Sequence, residues 1–166
     1  DLTKRVAFGR PEEITENDIV INEVLFNPSD QYVDGVDFVE IINRSQKILD
    51  LKDLLLCTED EDTGELDSPK EVSEDGYLFF PGEYLVLTTD PETVKTQYFT
   101  ENPDAFIQME SLPSYNNDEG IVLLTTKYFL RIDRMVYSES MQYPLLSSVD
   151  GVSLESAKWA QVLWDY

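Results

Sequence analysis

The chain has 166 residues, enough for one domain with a substantial core, or for one domain and an arm. Its 34 acidic residues stand against 12 basic ones, for a net charge of −22. Nucleic-acid binding begins with Lys and Arg neutralising phosphates, so this balance argues against DNA or RNA, and equally against an anionic membrane surface; it favours cations and basic partners.

A single cysteine, Cys57, rules out an intrachain disulfide, and its setting in the apolar run LLLC reads as a small buried hydrophobe. No apolar run approaches the roughly 20 residues of a membrane span. The first residue is Asp1 rather than Met, which reads as a mature or trimmed fragment whose address segment has been removed.

In chain order, residues 1–18 are polar, without a sustained period, and read as an arm or linker before a domain over 19–166. Ile19–Phe26 (IVINEVLF), bounded by Asn27-Pro28, predicts a strand. Asp37–Ile42 (DFVEII) predicts the next. Lys47–Cys57 predicts a strand bent at Lys52-Asp53. Thr58–Gly76 holds nine acidic residues and one Lys, and reads as a solvated loop or long hairpin tip.

Apolar character resumes at Tyr77–Phe80, turns at Pro81-Gly82, and gives a strand over Glu83–Thr88. Asp90-Pro91-Glu92 has the order of a helix start: a capping carboxylate, a proline at the first turn, an acid at the positive end. That helix runs to about Gln97. Residues 98–118 read as loop. Ile121–Thr126 and Leu130–Tyr137 predict a hairpin, and Gly151–Glu155 an edge strand. The aromatic end, Trp159–Tyr166, reads as packed. Seven or eight short strands, turns between them and one short helix make an all-β sandwich with long loops.

The chain has no histidine, which removes the usual Ser-His-Asp and Cys-His sites and the zinc sites that need imidazole. It has neither a P-loop nor a GxGxxG. Calcium needs only oxygen ligands, but the EF-hand spacing fails. Around Gly64 the last ligand position is Lys70, and around Gly35 it is Ile41. A different loop site using Asp30, Asp34 and Asp37 is the remaining metal candidate; turn formation by the same aspartates is the plainer account. Glu23 and Glu40, on neighbouring strands, form either a carboxylate pair or part of the wet face of a sheet, and the second reading is favoured. Asn43-Arg44-Ser45 matches a glycosylation sequon, though an Asn there also closes a turn. Tyr98-Phe99, Phe106, Tyr115, Tyr128-Phe129 and Tyr143 fall in loop-like segments and are candidates for an exposed binding platform.

The segments IVINEVLFNP (19–28), GVDFVEIINRS (35–45), FFPGEYLVLT (79–88), LPSYNNDEGIVLL (112–124) and RIDRMVYSESMQYPLL (131–146) occur in an order that resembles the lamin tail domain, in the form found in large exported bacterial proteins. The resemblance covers about residues 19–155. It implies an immunoglobulin-like β-sandwich with no catalytic residue and no cofactor. It also implies a binding or scaffolding module on an exported or cell-surface protein, engaging a protein or glycan through its loops. Rival readings are a calcium-stabilised adhesion module and a carboxylate-dependent hydrolase domain.

Overall fold

A computed structural model describes residues 9–28, 35–146 and 148–156. The strands are β1 (Ile19–Leu25), β2 (Phe38–Asn43), β3 (Leu49–Asp50), β4 (Leu54–Glu59), β5 (Leu66–Glu71) and β6 (Leu78–Phe79). They continue with β7 (Tyr84–Thr88), β8 (Phe106–Gln108), β9 (Glu119–Thr126), β10 (Arg131–Ser138) and β11 (Leu154–Glu155); one short helix, α1, spans Pro91–Gln97. One sheet has the order β11-β1-β2-β7-β8, a second the order β10-β9-β4-β5, and β3 pairs with β6 apart from both. Inward residues of both large sheets share one core. Ile19, Ile21, Val24, Val39, Ile41, Leu85 and Leu87 from the first meet Leu54, Leu56, Val122, Leu124 and Ile132 from the second. The expected all-β, immunoglobulin-like sandwich is therefore the fold, with open sheets rather than a closed barrel.

The bend expected at Lys52-Asp53 is a single 3-10 turn, Leu51–Asp53, capped by the Asp50 carboxylate, which accepts from Lys52 N–H. It separates β3 from β4. Of the two readings of the acidic block, the hairpin is the one found, with strand pairing that takes in much of the block: β4 and β5 pair, and the tip is the Asp60–Glu65 turn. There Asp60 Oδ1 accepts from the N–H groups of Asp62 and Thr63 and from the Thr63 hydroxyl, while Gly64 takes the positive φ of 70° that the turn needs. The stretch 98–118, expected to be loop, contains β8, which pairs parallel to β7 at the edge of an otherwise antiparallel sheet.

Residues 9–18, read as arm or linker, run against the sandwich. Glu12 N–H donates to Ile48 O and Asn17 N–H to Ile132 O, and Ile14 is buried in the shared core. Lys47 holds Asp18 at 2.7 Å. Burial alone would raise the Asp18 pKa, but hydrogen bonds from Lys47 and Thr15 outweigh it and leave it lowered. Trp159–Tyr166 lies outside the described residues.

β1 carries a bulge between Ile21 and Glu23. Before it, Ile19 and Ile21 face the core; after it, Val24 and Phe26 do. The extra residue, Asn22, thus shifts the alternation by one and leaves Asn22 and Glu23 together on the outer side. The Ile21 N–H at the bulge is satisfied by Asp133 Oδ2 at 2.8 Å, a buried carboxylate delivered by β10 of the opposite sheet. Asp133→Ala leaves that buried N–H without its acceptor. It is expected to lower the unfolding free energy by about 1–3 kcal/mol in urea titration, whereas substituting Asp62 at the exposed hairpin tip is expected to change it by less than about 0.5 kcal/mol.

Candidate functional site

The outer face of the five-stranded sheet has two halves. Across one end, Leu25 and Phe38 are covered by α1 through Val94, with Val36, Val86, Tyr98 and Phe106 packed around them. The helix forms where the sequence places it: Asp90 caps it by accepting from Glu92 and Thr93 N–H, and Pro91 opens it. It ends at Tyr98, whose backbone turns extended. The chain then loops through 99–105 and returns as β8, with Ala105 O accepting from Val86 N–H.

That loop and the outer face of β7 enclose a groove of about 960 Å³. Glu40, Glu83, Glu101 and Asp104 supply carboxylates to it, and Tyr77, Tyr84 and Phe99 supply rings. Phe99 is 90% exposed, so its ring is offered to solvent rather than to the core. Among the described residues lining the groove there is no Lys or Arg.

Beside the groove lies a row of three glutamates. Glu23 is the cross-strand partner of Glu40 on β2 and of Glu155 on β11. Glu40 Oε1 accepts from Asn22 Nδ2 at 2.7 Å, and Glu23 Oε1 accepts from the Ser153 hydroxyl. Burial raises the pKa of Glu23, against the Ser153 bond, and the charge of Glu155 adds to the rise. Glu40 is raised by burial first, and then by the charges of Glu23 and Glu155. Like charges directly opposed across strands are destabilising, so this row costs stability when ionised.

The pair Glu23 and Glu40 expected from the sequence is thus brought together, on the outer face of a sheet, but only Glu40 lines the groove. Of the calcium candidates, Asp30 and Asp34 lie outside the described residues. Asp37 sits half-buried before β2, its pKa pushed up to about 6 by burial. Among the described residues no three acidic or thiol side chains gather closely enough to hold a metal ion.

Asn43 is fully buried. Its amide donates to Lys47 O and Phe79 O at 2.9 and 2.8 Å, and its oxygen accepts from Ser45 N–H and hydroxyl, so it closes the turn and leaves no room for a glycan. Cys57 is buried beside Leu55 and Leu123, as expected, and burial pushes its thiol up to about 11.

The expected aromatic platform divides. Phe99, Tyr128, Phe129 and Tyr143 are exposed, while Tyr98 and Phe106 pack under α1. Tyr115 is buried against Tyr137, and its hydroxyl has no partner among the described residues. Sequence reasoning missed Glu155, Tyr77, Tyr84 and the acidic rim at Glu101 and Asp104. The strand over Glu83–Thr88 was legible, but nothing local said that a loop 15 to 21 residues after Tyr84 would wall its outer face in.

No protein-family model matches the chain, and no curated protein matches it in sequence. Among the described residues no helix is long and apolar enough to cross a membrane.

The raised carboxyls fix a pH dependence. Glu23, Glu40 and Asp37 bind their protons more tightly folded than unfolded, so each adds stability while protonated and loses it as pH rises through its folded value, about 6 for Asp37. Asp18 has the opposite sign and loses its contribution below its unfolded value of 3.8. The melting midpoint is expected to peak near about pH 5 and to fall toward pH 8. Glu23→Gln, which keeps an acceptor for Ser153, is expected to raise the midpoint at pH 8 and flatten that fall. A midpoint at pH 8 unchanged by the substitution would contradict the raised Glu23.

Proposed function

We propose that this chain is a non-catalytic binding module that takes its partner in the groove over β7, within a larger exported or cell-surface bacterial protein. The observation that carries the binding role is the pairing of surface-offered rings with carboxylates in one groove on a rigid sheet. The exported context rests on the resemblance of segments such as FVEIINRS to the lamin tail domain.

Chemistry by paired carboxylates is the weaker reading, for a geometric reason. Two carboxyls must flank one bond from opposite sides, with an acid and a base or nucleophile in reach of the same substrate. Here Glu23 is turned to Ser153 and does not line the groove, while Glu40 is tied to Asn22. The two also stand side by side on one sheet face rather than across a cleft.

Titration of the labelled protein with panels of soluble peptides and oligosaccharides, followed by amide NMR, tests this. A ligand of the module is expected to shift the amides of Tyr84, Val86 and Ala105 and to be recovered intact by mass spectrometry. Cleavage of a groove-bound ligand that Glu40→Gln abolishes would overturn the reading in favour of a hydrolase.

The calcium-stabilised alternative has one observation of its own, the half-buried Asp37. Millimolar calcium is expected to leave the melting midpoint unchanged. A rise of several degrees that Asp37→Asn removes would instead assign calcium to that loop.

A further inference from the structure

We infer that the groove over β7 selects a cationic ligand, the lysine or arginine side chains of an extended basic peptide, in preference to a neutral glycan. This rests on the binding-module reading above and names the ligand class for that same groove.

The first argument is charge left unmatched. Elsewhere several carboxylates meet a cation directly. Glu59 lies 2.7 Å from Arg131 and 2.9 Å from Arg134, Asp18 lies 2.7 Å from Lys47, and Glu71 lies 3.3 Å from Lys127. The groove gathers Glu40, Glu83, Glu101 and Asp104 with no cation among its described lining residues. Glu83 Oε2 accepts from Phe80 N–H, and Glu40 Oε1 from Asn22, so these two carboxylates are held in place by donors from the protein. A groove lined by one sign of charge, in a chain of net charge −22, concentrates the opposite sign at its mouth.

The second argument is the rings. Tyr77, Tyr84 and Phe99 are 38%, 43% and 90% exposed along the same groove. An ammonium or guanidinium over an aromatic face is attracted by its quadrupole, and a carboxylate nearby adds a Coulombic attraction of its own. The protein makes this arrangement internally a few residues away. Lys95 Nζ sits 4.9 Å from the centroid of Phe106 and 3.0 Å from Glu92 Oε1. A neutral sugar would stack on the rings and donate its hydroxyls to the carboxylates, but it would leave their gathered negative charge uncompensated, as a cation would not. An acidic peptide would be repelled by them.

A capped hexapeptide of alternating lysine and glycine, its fully acetylated analogue and a neutral glucose hexasaccharide are titrated into the folded chain, with affinity from calorimetry and site from amide NMR. The lysine peptide is expected to bind and to move the amides of Tyr84, Val86 and Ala105. The acetylated analogue is expected to bind at least about tenfold more weakly. Glu101→Gln with Asp104→Asn is expected to weaken the lysine peptide about tenfold, while the same charge change at the hairpin tip, Glu61→Gln with Asp62→Asn, costs less than about twofold. Phe99→Ala is expected to weaken it without altering the salt dependence.

Equal losses from the two double variants would mean diffuse attraction to an acidic protein, and would overturn the inference. Groove amides that move with the hexasaccharide and not with the lysine peptide would overturn the cationic ligand while leaving a binding module. Groove amides that move with none of the three probes would overturn the inference, and if they also stay still across the wider panels the module reading falls with it.

Discussion

The bond from Ile21 N–H to the Asp133 carboxylate holds the arrangement of this molecule together. A bulge inserts one residue into β1 and would leave a buried backbone donor with nothing to bind. An orphan of that kind is among the more costly defects a core can carry. Asp133 reaches it from β10, in the other sheet, at 2.8 Å. The bond therefore does two things at once: it makes the bulge tolerable and ties the sheets together at the side where β1 meets β10. Asn17 N–H donates to Ile132 O one residue away, so the segment before β1 is anchored at the same place.

The outer face follows from that bulge. Without the bulge, strict alternation through Asn22 would turn Glu23 toward the core and Val24 and Phe26 away from it. With it, Asn22 and Glu23 both face outward, and Asn22 is placed to donate to Glu40 and to accept, through its carbonyl, from Ser156 N–H. One residue thus orients a groove carboxylate and fixes the end of β11. Glu155 is brought beside Glu23 by the same pairing. The clustering of three like charges opposes folding above the pKa values of the row, and the apolar half of the face, sealed by Val94 against Leu25 and Phe38, supplies the opposing burial.

The strands that the sequence announces are those whose neighbours matter least to the announcement. Ile19–Phe26, Asp37–Ile42, Ile121–Thr126 and Leu130–Tyr137 are rich in β-branched and apolar residues and bounded by turn chemistry, so local pattern sufficed. The helix start at Asp90-Pro91-Glu92 was legible because capping is itself local. The bulge was not, because every residue of Ile19–Ile21 and Val24–Phe26 is apolar and a shift of one leaves no trace in such a run. β5 was hidden for the opposite reason. Leu66–Glu71 is held by its ladder to β4, the Thr58 hydroxyl on Asp67 O and the packing of Leu66 on Leu55 and Leu123, none of them visible in a block whose composition says loop. β8 has three residues and pairs parallel with β7, and its place depends on where the loop after α1 lands.

The same distinction explains the groove. Each of its walls is legible alone, as a strand with an outward Tyr84 or as a loop with an acidic rim, but a concavity belongs to neither. It exists because the Asp90 cap starts a helix only seven residues long, which ends at Tyr98 and leaves just enough chain to cross back over β7 before β8 pairs with it. A longer helix would carry Phe99 away from Tyr84, and a shorter loop could not bring the Glu101 and Asp104 rim over the face of β7. Four of the cations, meanwhile, are committed to the frame: Lys47 to the entry of β1, Arg131 and Arg134 to Glu59 across the second sheet, Lys127 to Glu71 beside its turn. A chain with 12 basic residues and 34 acidic ones must leave carboxylates unmatched somewhere. At the hairpin tip they are dispersed in solvent, where screening makes them cheap. In the groove they are gathered among exposed rings on a rigid sheet, where a cation of the right reach gains both charge and surface.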